Sequence, residues 1–166
     1  MVSKIEELLR ASFATESQAN RKFLAFAAKA DQEGYPRVAR FLRARAETSA
    51  VQAYNLLLTL KGVKGTRENL EETIGEETRE IGQAYPETLR VAREERHRGA
   101  EAILIYAGKV TQLHLELCRK LLEGMGKLEE NVSYYVCPVC GYIAEKDLPG
   151  KCPVCGTRGE LFKRIE

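Results

Sequence analysis

Cys137-Pro-Val-Cys140-Gly141 and Cys152-Pro-Val-Cys155-Gly156 hold four of the five cysteines in the chain, and their reading decides what its C-terminal end is. Each Cys-x-x-Cys pair sits on a tight turn that lets both sulfurs face one ion, and the loop between the pairs brings them together tetrahedrally. A glycine after the second cysteine of each pair leaves room for backbone N–H groups to turn back toward sulfur. Confinement of these cysteines to residues 137–155 argues for one metal site and against a disulfide framework spread over a fold. Tetrahedral sulfur suits iron and zinc alike. Iron would make the tail a one-electron relay, zinc a structural staple. Cys118, alone in the first 136 residues, reads as a small buried hydrophobe.

Working outward, the chain has 166 residues, enough for one main domain with a small appendage. Its 26 basic and 24 acidic side chains are interspersed and leave a net charge of +2, which gives no basic stripe for nucleic acid and no charged tail. The apolar runs Leu56 to Leu60 and Ala102 to Ala107 fall far short of the roughly 20 residues that span a bilayer. The N-terminus lacks the apolar core of a signal peptide. A cytoplasmic protein with no membrane partner is expected, and reduced thiols holding a metal fit that compartment.

Upstream of the tail the periodicity is helical. Ile5, Leu9, Ser12, Ala19, Phe23, Ala27 and Ala30 form the stripe of a first helix over 3–33, stopped by Gly34-Tyr35-Pro36. Pro36 opens a second helix reaching about Lys61, with its stripe through Val38, Phe41, Arg45, Ser49, Gln52, Leu56 and Leu60. Residues 67–97 predict a short helix or turn and then a longer helix kinked near Tyr85-Pro86. The last helix, about Ala100 to Gly124, carries Ile103, Ala107, Val110, His114, Leu117 and Leu121. Four long helices with short connections predict an antiparallel bundle over 1–126, followed by a polar linker at 127–133. Residues 134–166 are a small tail with β-prone pieces at 134–136, 142–144 and 160–162.

Polar groups on the inner faces of such a bundle need partners. Glu16 lies on the first stripe, Arg45, Ser49 and Gln52 on the second, Glu80 with Gln83 and Glu87 on the third, and His114 on the fourth. Two readings stand side by side. Glu16, Glu80 and His114 are ligands of a metal held between helices, or Arg45 pairs with Glu16 or Glu80 inside a hydrogen-bonded network without metal.

The runs Ala14-Thr15-Glu16-Ser17-Gln18-Ala19-Asn20, Phe23-Leu24-Ala25-Phe26-Ala27, Glu33-Gly34-Tyr35-Pro36 and Tyr85-Pro86, together with the cysteine tail, resemble the rubrerythrin family over nearly the whole chain. The resemblance implies a mainly α protein, a ferritin-like antiparallel four-helix bundle with a small C-terminal rubredoxin-like domain. It also implies a homodimer, with or without exchange of domains between copies. The family reduces hydrogen peroxide at a di-iron centre in the bundle, with an Fe(Cys)4 site relaying electrons from an external donor. Carried over position by position, the family's ligands persist here as Glu16, Glu80 and His114, while Ser49, Gln52, Gln83 and Thr111 stand at the others. Glu77, one turn before Glu80, is placed better than Glu76 to help, but nothing in the sequence assigns it a role.

Two remaining carboxylates and a nearby Arg45 do not balance two ferrous ions, so the bundle is expected to hold one ion or none. Three functions follow as expectations. The first is electron transfer through Cys137, Cys140, Cys152 and Cys155. The second is a peroxide-reducing oxidoreductase with an altered mononuclear or mixed-metal site on Glu16, Glu80 and His114, and the third a zinc-stapled interaction module. Whether the chain is an enzyme is left open by the lost ligands.

Overall fold

The computed structural model describes residues 3–129 and 131–165. Met1, Val2, Glu130 and Glu166, at the ends of the expected domains and inside the expected linker, lie outside them. The chain divides into two compact units, Met1–Lys64 and Gly65–Glu166.

In the first unit, α1 (Lys4–Gln32) starts at Ser3, whose hydroxyl accepts the Glu6 N–H at 3.3 Å. It ends at Gly34, whose φ of +81° lets the Tyr35 N–H turn back to the Ala30 carbonyl at 2.8 Å. Pro36 then opens α2 (Pro36–Thr59) from the first turn, where its missing N–H costs nothing. The two helices run antiparallel. The Asn20 amide donates to the Ala46 carbonyl at 2.8 Å, and Arg43 bonds Asp31 at 2.7 Å.

The buried side chains of this unit are Ala27, Ala30, Ala39, Ala46, Ser49 and Ala53. The expected α2 stripe is therefore displaced. Val38 and Phe41 are 49% and 63% exposed, and although Ser49 of the expected stripe is buried, the other buried positions, Ala39, Ala46 and Ala53, each fall one residue after an expected one. Close helix pairing selects the smallest side chains, whereas a reading by hydrophobicity picks the largest.

The second unit contains α3 (Thr66–Arg79), a π-helical segment (Glu80–Ala84), α4 (Tyr85–Glu94) and α5 (Arg98–Gly124). α3 and α4 both pack on α5. The expected short helix or turn before the longer, kinked one is absent: helical structure runs without a break from Thr66 to Glu94, with its irregular turn just before Tyr85-Pro86. In place of a simple proline kink there is a widened turn, in which the Tyr85 N–H reaches back to the Glu80 carbonyl. A π turn upstream of Pro86 accommodates the residue that has no N–H to give. On α5, Val110, Thr111 and Leu115 are buried and His114 is half-buried, whereas Ile103 is 70% exposed and leaves the expected stripe.

The tail is a three-stranded antiparallel sheet in the order β2-β1-β3, from β1 (Tyr134–Val136), β2 (Ile143–Glu145) and β3 (Lys163–Ile165). Tyr135 faces Ala144 on one side and Arg164 on the other. The last strand begins later than expected because Gly159–Leu161 is a 3-10 turn. Gly159 lies so close to the preceding loop that a Cβ there would meet the Pro149 carbonyl oxygen at 1.8 Å. Its N–H bonds the Gly150 carbonyl at 2.9 Å, which fixes the turn in place. Among the described residues no helix is long and apolar enough to cross a membrane.

Candidate metal centre

The two Cys-Pro-Val-Cys-Gly runs fold alike. The Gly141 N–H donates to the Cys137 carbonyl at 3.0 Å and the Gly156 N–H to the Cys152 carbonyl at 2.9 Å. The Cys137 N–H reaches the Tyr142 carbonyl at 2.9 Å and the Cys152 N–H the Thr157 carbonyl at 2.7 Å. Gly141 and Gly156 take φ of +82° and +77°, the left-handed conformation that this doubling back requires. As a result the four sulfurs lie within 4.8 Å of one another, with Cys137–Cys155 at 3.6 Å and Cys140–Cys152 at 3.5 Å. A tetrahedron with metal–sulfur bonds of about 2.3 Å has sulfur–sulfur edges of about 3.8 Å, so this donor set fits an iron or zinc ion.

The surroundings favour thiolate at two of the four positions. Burial opposes ionisation of Cys137, but the N–H groups of Cys140 and Val139 outweigh it and hold the thiol below its ordinary value. At Cys155 the Thr157 hydroxyl, 3.1 Å away, and the Thr157 N–H bring the thiol down to about 6. Burial pushes Cys140 and Cys152 up, so a bound cation is what would keep them ionised. The Tyr142 N–H points at the Cys140 sulfur.

Beside this centre, His114 on α5 bonds the Gly141 carbonyl through Nε2 at 3.2 Å. A carbonyl only accepts, so Nε2 carries the proton and Nδ1 keeps its lone pair. Burial lowers the His114 pKa from its ordinary 6.5, with the Gly141 bond in partial opposition, and the ring is neutral at pH 7. A second tie is the ion pair between Lys120 of α5 and Glu145 of β2. Between α3, α5 and the sheet lies a mostly apolar cavity of about 340 Å³, lined by Glu77, His114, Cys118, Tyr134 and Ile143 among others. Cys118 is half-buried rather than fully buried as its sequence reading expected, and burial together with the Glu77 charge raises its pKa.

The other sequence-derived candidates divide between the units. In the first, Glu16 Oε2 and Ser49 Oγ are buried without a hydrogen-bond partner. Arg45 lies over the Phe23 ring, 5.3 Å from its centroid, and among the described residues makes no ion pair with Glu16. Gln52 is exposed. In the second unit, Glu80, Gln83 and Glu87 are exposed along one open groove. Glu80 accepts a hydrogen bond from the Tyr85 hydroxyl at 3.1 Å, and Thr111, buried, reaches that hydroxyl at 3.4 Å.

Glu77 is the residue that sequence reasoning left without a role. Its Oε2 is buried and unpartnered, and burial and then Glu80 raise its pKa. Its spacing of three from Glu80, which puts both on one helix face, was the available signal. The three orphaned oxygens, on Glu16, Ser49 and Glu77, all occur among the side chains weighed for a bundle site. Such groups call for an ion or water to satisfy them.

Comparison with known proteins agrees with this geometry. Residues 7–122 match the family model described as Rubrerythrin, and residues 135–163 the one described as Rubrerythrin, rubredoxin-like domain. The chain is 27% identical to Rubrerythrin-2 of Clostridium acetobutylicum, over 95% of this chain and 94% of that protein. It is 29% identical to the rubrerythrin of Porphyromonas gingivalis, over 99% and 91%. Among solved structures, nigerythrin in its fully reduced, all-ferrous state is similar in fold, with a TM-score of 0.59 at 24% identity, covering 99% of this chain and 88% of that one.

Proposed function

Because the chain belongs to the rubrerythrin family, with a ferritin-like helical bundle and a rubredoxin-like tail, we propose that it is an electron-transfer protein working through an iron held by Cys137, Cys140, Cys152 and Cys155. The observation that carries this reading is the cluster of four sulfurs within 4.8 Å of one another. An iron bound there supplies one-electron chemistry. The residues do the rest. The paired knuckles gather four sulfurs within bonding reach of one ion, and N–H groups of Val139, Cys140, Tyr142 and Thr157 stabilise negative charge on them. An external donor of electrons is part of this proposal, as is a cytoplasmic setting that keeps the thiols reduced.

The bundle is assigned at most one ion. Ser49 and Thr111 offer only neutral hydroxyls, and Gln52 and Gln83 are exposed. Within the second unit Glu77, Glu80 and His114 are the remaining donors. The His114 Nε2–H bond to a carbonyl is the outer partner that ligating histidines ordinarily have, which leaves Nδ1 for an ion. The orphaned oxygen of Glu77 favours a second reading, peroxide reduction at an altered single-ion site. We also propose a homodimer, supported by large apolar side chains left exposed on α1 and α2, among them Phe26 (54%), Phe41 (63%) and Tyr54 (57%).

Metal analysis of protein expressed without excess zinc tests the main reading. The expected result is about one iron per chain with ferric-thiolate visible absorption. About three irons per chain would overturn the assignment of the bundle, and zinc alone that of the tail. Peroxide-driven reoxidation of the reduced protein that is lost in His114→Ala would favour the second reading.

A further inference from the structure

We propose that His114 sets the reduction potential of the four-cysteine centre through the Gly141–Tyr142 peptide. The inference rests on the electron-transfer reading above and goes beyond it in naming a positioning residue outside the sulfur cage.

The carbonyl that accepts from His114 Nε2 at 3.2 Å and the N–H that points at Cys140 Sγ belong to one peptide unit. A proton held against the oxygen of an amide draws electron density toward that oxygen and leaves its N–H a stronger donor, so the two bonds reinforce each other. Hydrogen bonds to sulfur stabilise the more negative, reduced state of an iron–thiolate centre and raise its potential. The helix α5 side chain thereby reaches one sulfur of the tail through three atoms of backbone. The second knuckle is arranged differently. There Cys155 receives the Thr157 hydroxyl directly at 3.1 Å, together with the Thr157 N–H. The two knuckles thus share a sequence pattern and a backbone, but each second cysteine has its own side-chain aid, Thr157 within the loop and His114 from the bundle.

Lys120 pairs with Glu145 on the same helix and sheet, holding α5 against the centre beside the histidine. The ring faces the carbonyl through Nε2, and a carbonyl can only accept.

The test is a redox titration of the full iron-loaded chain, followed by its visible thiolate band, in wild type, His114→Phe and His114→Gln. Phenylalanine removes the donor, while glutamine retains an N–H at about the reach of Nε2. The expected result is a more negative midpoint in His114→Phe, by up to about tenfold in the redox equilibrium, which is 59 mV for a one-electron couple. His114→Gln should return toward the wild-type midpoint. An unchanged midpoint in His114→Phe, or a shift in His114→Gln as large as in His114→Phe, would overturn the proposal. A second readout uses the zinc-loaded protein, in which the Tyr142 amide proton should move upfield in His114→Phe while the Thr157 amide stays in place. If wild type takes up no iron, the electron-transfer reading fails. The Tyr142 amide still decides whether His114 acts on Cys140, and a resonance that does not move refutes it.

Discussion

Glu77 carries a carboxylate oxygen that is buried without a partner, and this one atom has a measurable consequence. Burial and the neighbouring Glu80 raise its folded pKa above the ordinary 4.5, so the folded state binds a proton more readily than the unfolded chain does. The penalty is fully present above the raised value and fades as pH falls through it toward 4.5. In metal-free protein, Glu77→Gln should therefore raise the melting temperature at pH 7, with the gain shrinking on acidification and gone below about pH 4.5. A gain that persists unchanged at pH 4 would show that charge is not its cause. In iron-loaded protein the same substitution should leave the tail's visible band intact. The sequence singled out Glu16, Glu80 and His114 at this scale. It did not reveal that Glu80 is exposed and Glu77 enclosed, because helical phase across a π turn is not fixed by counting residues.

At the scale of elements, boundaries are set by chain reversals that few residues tolerate. α4 ends with Arg96 at φ +55°, a left-handed conformation that costs a side-chain-bearing residue about 1–2 kcal/mol. Arg96→Gly should accordingly stabilise the protein by up to about 1 kcal/mol, offset in part by glycine's freedom in the unfolded chain, and read as a higher denaturation midpoint. The loop between the knuckles behaves in the opposite way. A methyl group at Gly159 would sit 1.8 Å from the Pro149 oxygen, a contact that only backbone movement relieves. Gly159→Ala should displace the 3-10 turn and weaken metal retention by the tail. Competition with a chromophoric chelator would read this as faster metal loss than in wild type. The helix ends at Gly34 and Pro36 were legible in the sequence because their residue types have few other uses. The ends near Lys61 and Arg96 were placed to within a few residues, but that both of these residues take positive φ was not legible, because neither is a residue type that favours it.

For the molecule as a whole, the tail and the helices are stabilised by different means. The tail's sheet has three strands of three residues, and among the described residues of the tail only Cys137, Ala144, Cys152 and Gly159 are buried, too few to make a core. Its order is expected to depend on a metal ion bound by the four sulfurs, as in other small domains built around a metal. Stripping the metal with a strong chelator should unfold residues 134–165 while the far-ultraviolet helical signal stays largely unchanged. A cooperative loss of helix on chelation would contradict this division. Self-association is the second whole-molecule expectation. Phe41 is 63% exposed, so Phe41→Glu removes no buried contact within one chain. Sedimentation velocity should report a dimer for wild type and a monomer for that variant, and a dimer in both would place the interface elsewhere.

The cysteine centre and the helical character of the rest were determined by sequence alone. Cys-x-x-Cys spacing dictates which sulfurs can share an ion, and the 3.6-residue period dictates amphipathic helices whatever their neighbours are. Which face each helix buries was decided only in the tertiary structure. The seam of α1 and α2 is built from Ala39, Ala46 and Ala53 because helices that approach closely admit small side chains, and that choice depends on the partner helix rather than on local hydrophobicity. The link from His114 to Gly141 is tertiary for the same reason. It joins residues 27 apart, and no local pattern says which carbonyl a half-buried histidine on α5 will meet.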